Sequence, residues 1–397
     1  MVNPEHYNTL FSLAQDLIRI PSPPGQERDV AEYLQRTMGE MGFTEVQSDK
    51  YGNVIGRISF SNDGPVLLFE GHMDHVRVPH PEYWIHYPYG GEMFRGCLWG
   101  RGTTDNKGAL AAMISAASFL SRSGTHGLRG SLYVGASVLQ EPLESVAASG
   151  IAELCHPDFV VVGEASGNAV MRGQRGRAEI VLETKGQSVH CAFPHEGINA
   201  IRKMLRVASL IEKELFLPEE PVLGKGSMEL TSIESSPQQD FNIVPNLCTA
   251  YFDRRLLLSE TRDGVLADIQ EILEEEALRD DAFRASVRYN TKKQLCYTGK
   301  LLRSEVFYPA WLLEENHPFV RRVCDGLHSM GLPCTLDIYP YSTNASYYAG
   351  VAGIPTVGFG PAQMSILHLD DEYIELDDLV RICNGYVGIA HSVLARV

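Results

Sequence analysis

The sequence predicts an α/β protein: a main domain on a mixed, mostly parallel sheet flanked by helices, interrupted by an inserted α+β domain of two helices on a four-stranded antiparallel sheet. Three observations carry this. VLLFE (66–70), SLYVGASVL (131–139) and FVVVGE (159–164) are apolar runs without alternation, as expected of strands buried on both faces. Helical patterns separate them, the arrangement of a sheet covered by helices. After Gly173 the style changes, and AEIVLET (178–184) alternates apolar and polar like a strand with one wet face.

Taken in order, residues 4–20 place Leu10, Leu13, Ala14, Leu17 and Ile18 on a helical period, and IPSPPG (20–25) ends that helix. A second helix runs to about Met41. The strand at 66–70 is followed by an Ala-rich helix from Lys107 to Leu120, then by the strands at 131–139 and 159–164. The inserted style holds a helix over 198–216, strands around 226–233 and 248–257, a Glu-rich helix over 261–279 and a strand at 283–290. From about Pro309 the first style resumes, with a helix over 317–330, TLDIYP (335–340), IPTVGF (354–359) and a last helix from Leu376. The division is therefore 1–174 and 309–397 for the main domain and 175–308 for the insertion, with hinges expected near 173–176 and 307–312. At 397 residues two domains are also the expectation from length.

Composition narrows the class. The hydrophobic share of 44% and charged share of 21% are those of a soluble globular chain. A formal charge of −16 disfavours nucleic-acid and anionic-membrane partners, which need a basic face. No apolar run is long enough to span a bilayer, and the N-terminus lacks a signal-peptide pattern. The eight cysteines are scattered with no CxxC pair, so they read as reduced, mostly buried thiols of a cytoplasmic protein.

Hard metal-ligand side chains concentrate where strands end. In GHMDHV (71–76), His72 and Asp74 are two apart and share a face of a continuing strand. A nearby carboxylate orients an imidazole ligand, a role open to Asp74; His75 faces the other way and reads as a bystander. GRGTTDNKG (100–108) sets Asp105 just before a helix, where a carboxylate can cap the helix, bind metal, or do both at once. The glycine turn suggests a phosphate cradle only weakly, since GxGxxG and P-loop spacings are absent. SVLQEPLES adds Glu141 and Glu144, VVVGEAS adds Glu164, and GFGPAQMSILHLDDEY adds His368, each just past a predicted strand. Loops at the carboxyl ends of sheet strands are where α/β folds assemble active sites.

In order along the chain, GHMDHV, GRGTTDNKG, the QE loop, GEAS, GQSVHCAFPHEGINAI (186–201), DRR (253–255) and the late GFGP with His368 and Glu372 resemble the zinc-dependent amidohydrolase/exopeptidase family. That family includes acetylornithine deacetylase, succinyl-diaminopimelate desuccinylase, aminoacylase and carboxypeptidase G. The resemblance covers essentially the whole chain. GQRGRAEI (173–180), DRRLLLSET and FYPAWLLEENHP (307–318) look most similar to its selenium-metabolism-linked branch.

The resemblance implies a role for each matched residue. His72, Asp105 and Glu164 would hold one zinc, and Asp105 would bridge to a second held by His368. Asp74 would orient His72, and Glu141 would be the general base for the attacking water. His190, in the inserted lid/dimerisation domain, would reach the partner subunit's site in a homodimer. Arg255, Arg175 and Asn242 would bind a substrate carboxylate, with Thr343 and Asn344 of YSTNAS (341–346) lining the same pocket. The implied activity is zinc-dependent cleavage of an amide bond in an N-acyl amino acid or short peptide bearing a carboxylate, with one or two zincs per chain and cobalt or manganese as substitutes.

One position departs from the family. Its second paired glutamate, a zinc ligand, falls on Pro142, which has no side-chain ligand atom. Three readings stay open: Glu144 substitutes, the second site is weak or empty, or Glu141 itself is the ligand. A tight His72/Asp105/Glu164 site with a weaker second site is preferred, then Glu144. The alternative in another class is a non-catalytic homologue that binds ligand or metal only.

Overall fold

The apolar runs at 66–70, 131–139 and 159–164 become adjacent parallel strands, because strands with no polar face must be covered on both sides. In the computed structural model, which describes residues 4–123, 127–238 and 241–395, the chain divides into two units. One comprises residues 1–174, 293–304 and 312–397, the other 175–292 and 305–311.

Along the chain run α1 (Pro4–Arg19), α2 (Arg28–Glu40), β1 (Glu45–Ser48), β2 (Val54–Ser59), β3 (Val66–His72), β4 (Glu92–Phe94), β5 (Cys97–Trp99), α3 (Lys107–Arg122), β6 (Ser131–Ser137), α4 (Ala148–Cys155), β7 (Phe159–Val162) and β8 (Val170–Gln174). The other unit holds β9 (Gly176–Lys185), α5 (Ala200–Glu214), β10 (Ser227–Ser236), β11 (Leu247–Leu256), α6 (Arg262–Arg279) and β12 (Ala285–Tyr289). The first unit then resumes with α7 (Pro318–Ser329), β13 (Leu336–Tyr339), β14 (Thr356–Gly358), β15 (Tyr373–Glu375) and α8 (Leu376–Leu394).

In the first unit the main sheet has the order β1-β2-β6-β3-β7-β14-β8, with β13 also beside β8. Pairings among β6, β3, β7 and β14 are parallel, and those of β1, β2 and β8 with their neighbours in that order are antiparallel. Helix α3 is buried almost all round, which its Ala, Gly and Ser residues permit, and it lies against α1 and α8. Helices α7 and α8 meet at two glycines: a Cβ on Gly326 would stand 2.5 Å from Gly388 O, and one on Gly388 2.3 Å from Gly326 O. Two parts of this fold, strand β8 and a small three-stranded sheet, read poorly from sequence. β8 carries buried Arg172 and Gln174, which break its apolar pattern; Arg172 is satisfied by Leu313 O and Glu315, Gln174 by Thr343 and Ser346. The small sheet β15-β5-β4 is built from three-residue strands, too short to show a period.

The second unit is an antiparallel sheet of order β10-β11-β9-β12, with the short pair Phe307–Tyr308 also on β9. β11 alternates buried and half-buried residues along its length, and its buried set includes Ala250 and Phe252. These join Met204, Val207 and Ile211 of α5 and Ile269 and Leu273 of α6 in a separate core.

One expectation is overturned. Cys324 and Cys334 form a disulfide, with Cα atoms 5.2 Å apart, where eight reduced thiols were expected. The turn after α7 brings together residues whose separation of ten in sequence carries no signal. Closing so short a loop is worth about 2–3 kcal/mol. Thiol titration of the denatured, unreduced protein should find the remaining six free cysteines; eight would remove the bond. Among the described residues no helix is long and apolar enough to cross a membrane.

Candidate metal centre

Four loops at the carboxyl ends of parallel strands, and the turn before α3, converge in the first unit. His72 is the last residue of β3, Glu141 follows β6, Glu164 follows β7 and His368 lies beyond β14, while Asp105 precedes α3. Asp105 is shared between two imidazoles: Oδ1 is 3.0 Å from His72 Nε2 and Oδ2 is 3.1 Å from His368 Nε2. Glu164 Oε1 stands 3.6 Å from His72 Nε2, and Glu141 Oε2 stands 3.4 Å from His368 Nε2. The ligand atoms of His72, Asp105 and Glu164 all lie within 4.8 Å of one another, and so do those of Asp105, Glu141 and His368.

Burial makes this cluster electrostatically demanding. Desolvation pushes the Glu164 carboxyl well up and raises Glu141, aided by the charge of Asp105. Burial also opposes ionisation of Asp105, but the hydrogen bonds to His368 and His72 outweigh it and hold the group below its usual range. His368 is raised to about 10, first by Asp105 and then by Glu141. Burial alone would lower His72, yet Asp105, Asp74 and Glu164 hold it well above its ordinary value. Burial leaves these carboxylates in need of positive charge, which a divalent cation in each group would supply. Imidazole nitrogens with carboxylate oxygens suit zinc, cobalt or manganese, so the donor set fits such an ion.

A surrounding set of hydrogen bonds fixes these groups. The Nδ1 side of His72 faces Asp74 O at 2.9 Å, with Asp74 Oδ1 farther away at 3.5 Å. The Asp74 carboxylate instead accepts from Gln140 N and Glu141 N, both at 3.0 Å. Val76 N donates to Glu141 Oε1 at 3.0 Å, leaving Oε2 on the His368 side. Gln140 Nε2 donates to Glu164 Oε1 at 3.4 Å, and Asn106 Nδ2 to Gly163 O at 2.9 Å.

Glu372, quoted above only as part of a motif, is fully buried and carries the loop of Asp105. It accepts from Arg101 Nη1 at 2.7 Å, Gly102 N at 3.1 Å, Thr104 N at 2.8 Å and Asp105 N at 3.0 Å. Arg101, itself stacked over Trp84, also donates to His368 O at 3.4 Å. Glu372→Ala leaves a buried guanidinium uncompensated, an expected loss of about 3–5 kcal/mol; an unchanged urea midpoint would refute this.

His75 is pinned by Ser22 N, which donates to its Nε2 at 3.0 Å, and its Nδ1 donates to Val76 O at 2.8 Å. Burial, with the charge of Lys107, pulls its pKa down to about 3. Below its unfolded value of 6.5 the unfolded chain takes up a proton that the folded protein refuses. Stability present above that pH is therefore lost as pH falls from 6.5 toward 3, by a few kcal/mol at the bottom of the window. Urea unfolding at matched pH should show a shallower acid limb for His75→Gln, and parallel curves would contradict it.

Other residues singled out from the sequence stand elsewhere. Glu144 lies outside both donor groups and accepts from Ser342 Oγ. Thr343 and Asn344 are buried within the fold: Thr343 Oγ1 donates to Gln174, and Asn344 bonds Ser145 N, Glu70 and Ser137. That network engages the groups that pocket lining would have offered to substrate. In the second unit His190 is exposed and accepts from Ala192 N, and Arg255 pairs with Asp253 at 2.8 Å. Arg175 reaches Lys225 O at 3.5 Å, and the exposed Asn242 accepts from Cys191 N through its main chain.

The first unit, a mixed α/β fold with two donor groups sharing one carboxylate, has the donor set of a metal-dependent hydrolase, and a separate α+β unit accompanies it. Residues 172–281 match the M20 peptidase dimerisation domain. The chain is 31% identical over 387 residues to the uncharacterised protein YgeY of Escherichia coli K12, covering 96% of this chain and 93% of that one. It is 30% identical over 398 residues to succinyl-diaminopimelate desuccinylase of Methylorubrum populi, covering 95% and 96%. Its fold is that of aminopeptidase PepT from Bacillus cereus (TM-score 0.76, 19% identity, 98% of both chains). YxeP of Bacillus subtilis, a dinuclear metal-binding peptidase, shares it too (TM-score 0.72, 15% identity, 99% of both chains). The chain belongs to the M20 family of metallopeptidases and related amidohydrolases.

Proposed function

We propose that this protein is a metal-dependent hydrolase that cleaves the amide bond of an N-acyl amino acid or short peptide bearing a carboxylate. The observation that carries the reading is Asp105, one carboxylate set between two imidazoles in a pair of three-residue donor groups. His72, Asp105 and Glu164 would hold one ion, most simply zinc, and Asp105 with His368 a second. Such ions supply Lewis acidity to water and to an amide carbonyl. Asp74 orients His72 and holds the Gln140–Glu141 turn through its carboxylate, and Glu141 is the general base. Its Oε1 is anchored on Val76 N, so Oε2 is the atom that takes the water's proton and returns it to the departing nitrogen.

Pro142 supplies no ligand to the His368 side, and Glu144 is engaged by Ser342, which supports one tightly held ion and one weaker. Metal analysis after mild dialysis should give nearer one zinc than two per chain; two tightly held zincs would defeat this. Pro142→Glu is expected to move the count toward two.

The second unit is proposed as the homodimer interface. Its match to a dimerisation domain supports this, as do the exposed Leu205 on α5 and Leu230 and Ile233 on the edge strand β10. A cleft of about 400 Å³ beside them is lined by Leu205, Met228 and Leu230. His190 is assigned to the partner's site, and Arg255, Arg175 and Asn242 to the substrate carboxylate, which arginine pairs with bidentately.

The test is hydrolysis of a panel of N-acetyl amino acids, N-succinyl amino acids and dipeptides with zinc, cobalt or manganese. Turnover lost in Glu141→Gln with metal retained supports the reading. No turnover on any member favours a binding-only homologue, for which Pro142 is the specific argument.

A further inference from the structure

The loops of the metal centre share a neighbour to which the proposed reaction gives no part. The segment running from the last turn of α1 to the start of α2, residues 17–27, is tied to three of them by buried polar side chains. Lys107 Nζ, just past Asp105, donates to Leu17 O at 3.0 Å and Ile20 O at 2.6 Å. Ser22 Oγ donates to Met73 O at 2.6 Å, and Ser22 N to His75 Nε2 at 3.0 Å. Glu27 Oε1 accepts from Leu139 N at 3.2 Å and from Gly25 N at 3.0 Å.

The third tie reaches the segment that presents Glu141. Leu139 has φ 58°, a left-handed conformation that a non-glycine side chain adopts only when its surroundings hold it there. Its N–H points at Glu27, while the next two N–H groups, of Gln140 and Glu141, point at Asp74. Three successive N–H groups thus face two buried carboxylates, as in a backbone anion cradle but with the protein's own side chains in place of a ligand. Glu27 is fully buried, and its Oε2 has no hydrogen-bonding partner among the described residues. Burial and then the charge of Asp74 push its carboxyl up to about 7.

We infer that Glu27 is a positioning residue that holds the 139–141 turn in its left-handed conformation and so aims Glu141. The inference rests on the reading of Glu141 as the base. It is tested with Glu27→Met, which keeps the bulk and drops the acceptors, and Glu27→Gln, whose amide oxygen can accept the same N–H groups. In the zinc-loaded protein, Glu27→Met should speed amide exchange of the peptide spanning 138–143 by about tenfold or more. Exchange within α3 and the zinc content should not move. On the panel substrate with the highest turnover, kcat should fall about tenfold or more while KM stays within about twofold. Glu27→Gln should restore both. Unchanged exchange in Glu27→Met, or a glutamine variant as loose as the methionine one, overturns the inference. If Glu27→Met does not fold, Glu27→Ala is read in the same way. Should Glu141→Gln keep its turnover while Glu27→Met still loosens the turn, the base assignment falls and the hold on the turn stands.

Discussion

Glu141→Gln is expected to lower kcat by about 10²–10⁴-fold, the range a positioned general base contributes. Glutamine keeps the length of the side chain and an oxygen for Val76 N, so the turn on Asp74 stays in place. What disappears is the basic oxygen on the His368 side. The expected signature is therefore kcat and kcat/KM falling together, with the first metal still bound. A fall confined to KM would mean that Glu141 binds substrate instead. Joint loss of turnover and of the second ion would mark Glu141 as a ligand, the reading its 3.4 Å approach to His368 keeps open.

Asp105→Asn should affect both ions at once. Its two carboxylate oxygens lie 3.0 and 3.1 Å from different imidazoles, and among the described residues it is the one shared by both groups. Losing a partner that only orients a ligand weakens metal binding by about 10–100-fold, and losing a shared ligand should exceed that at each position. Stability reports the same event. A cation at 100 times its dissociation constant stabilises the folded chain by about 2.7 kcal/mol per site, a gain Asp105→Asn should forfeit. The measurement is the difference in unfolding free energy with and without zinc in each protein, which cancels any effect of the substitution on the metal-free state. A variant stabilised by zinc as much as wild type would remove Asp105 from the ligand set.

Much of this centre was legible because its chemistry is written in short strings. GHMDHV and GRGTTDNKG hold hard ligands beside strand ends and glycine turns, and a strand followed by a loop is read from local pattern alone. The style change after Gly173 marked the second fold in the same way, since alternation records one wet face. Local pattern failed where a side chain's partner is remote. Glu372 looked like one acid in LHLDDEY, yet it gathers four donors from the loop of Asp105, more than 260 residues away in sequence. Thr343 and Asn344 looked like polar pocket residues, but Gln174, Glu70 and Ser137 draw them inward. Asp74 was expected to orient His72; its carboxylate stands 3.5 Å from that ring and also grips the turn of Glu141, a second task that spacing does not announce.

Residue type and spacing marked the two folds and the ligand candidates, because burial and periodicity leave their mark on neighbouring residues, and the resemblance to the family marked the odd proline at 142. Which oxygen faces which nitrogen, which acid is spent on holding a loop, and which cysteines meet were decided only when the chain closed on itself. Those choices depend on hydrogen bonds between residues far apart in sequence, and no local pattern encodes a partner that folding alone brings near.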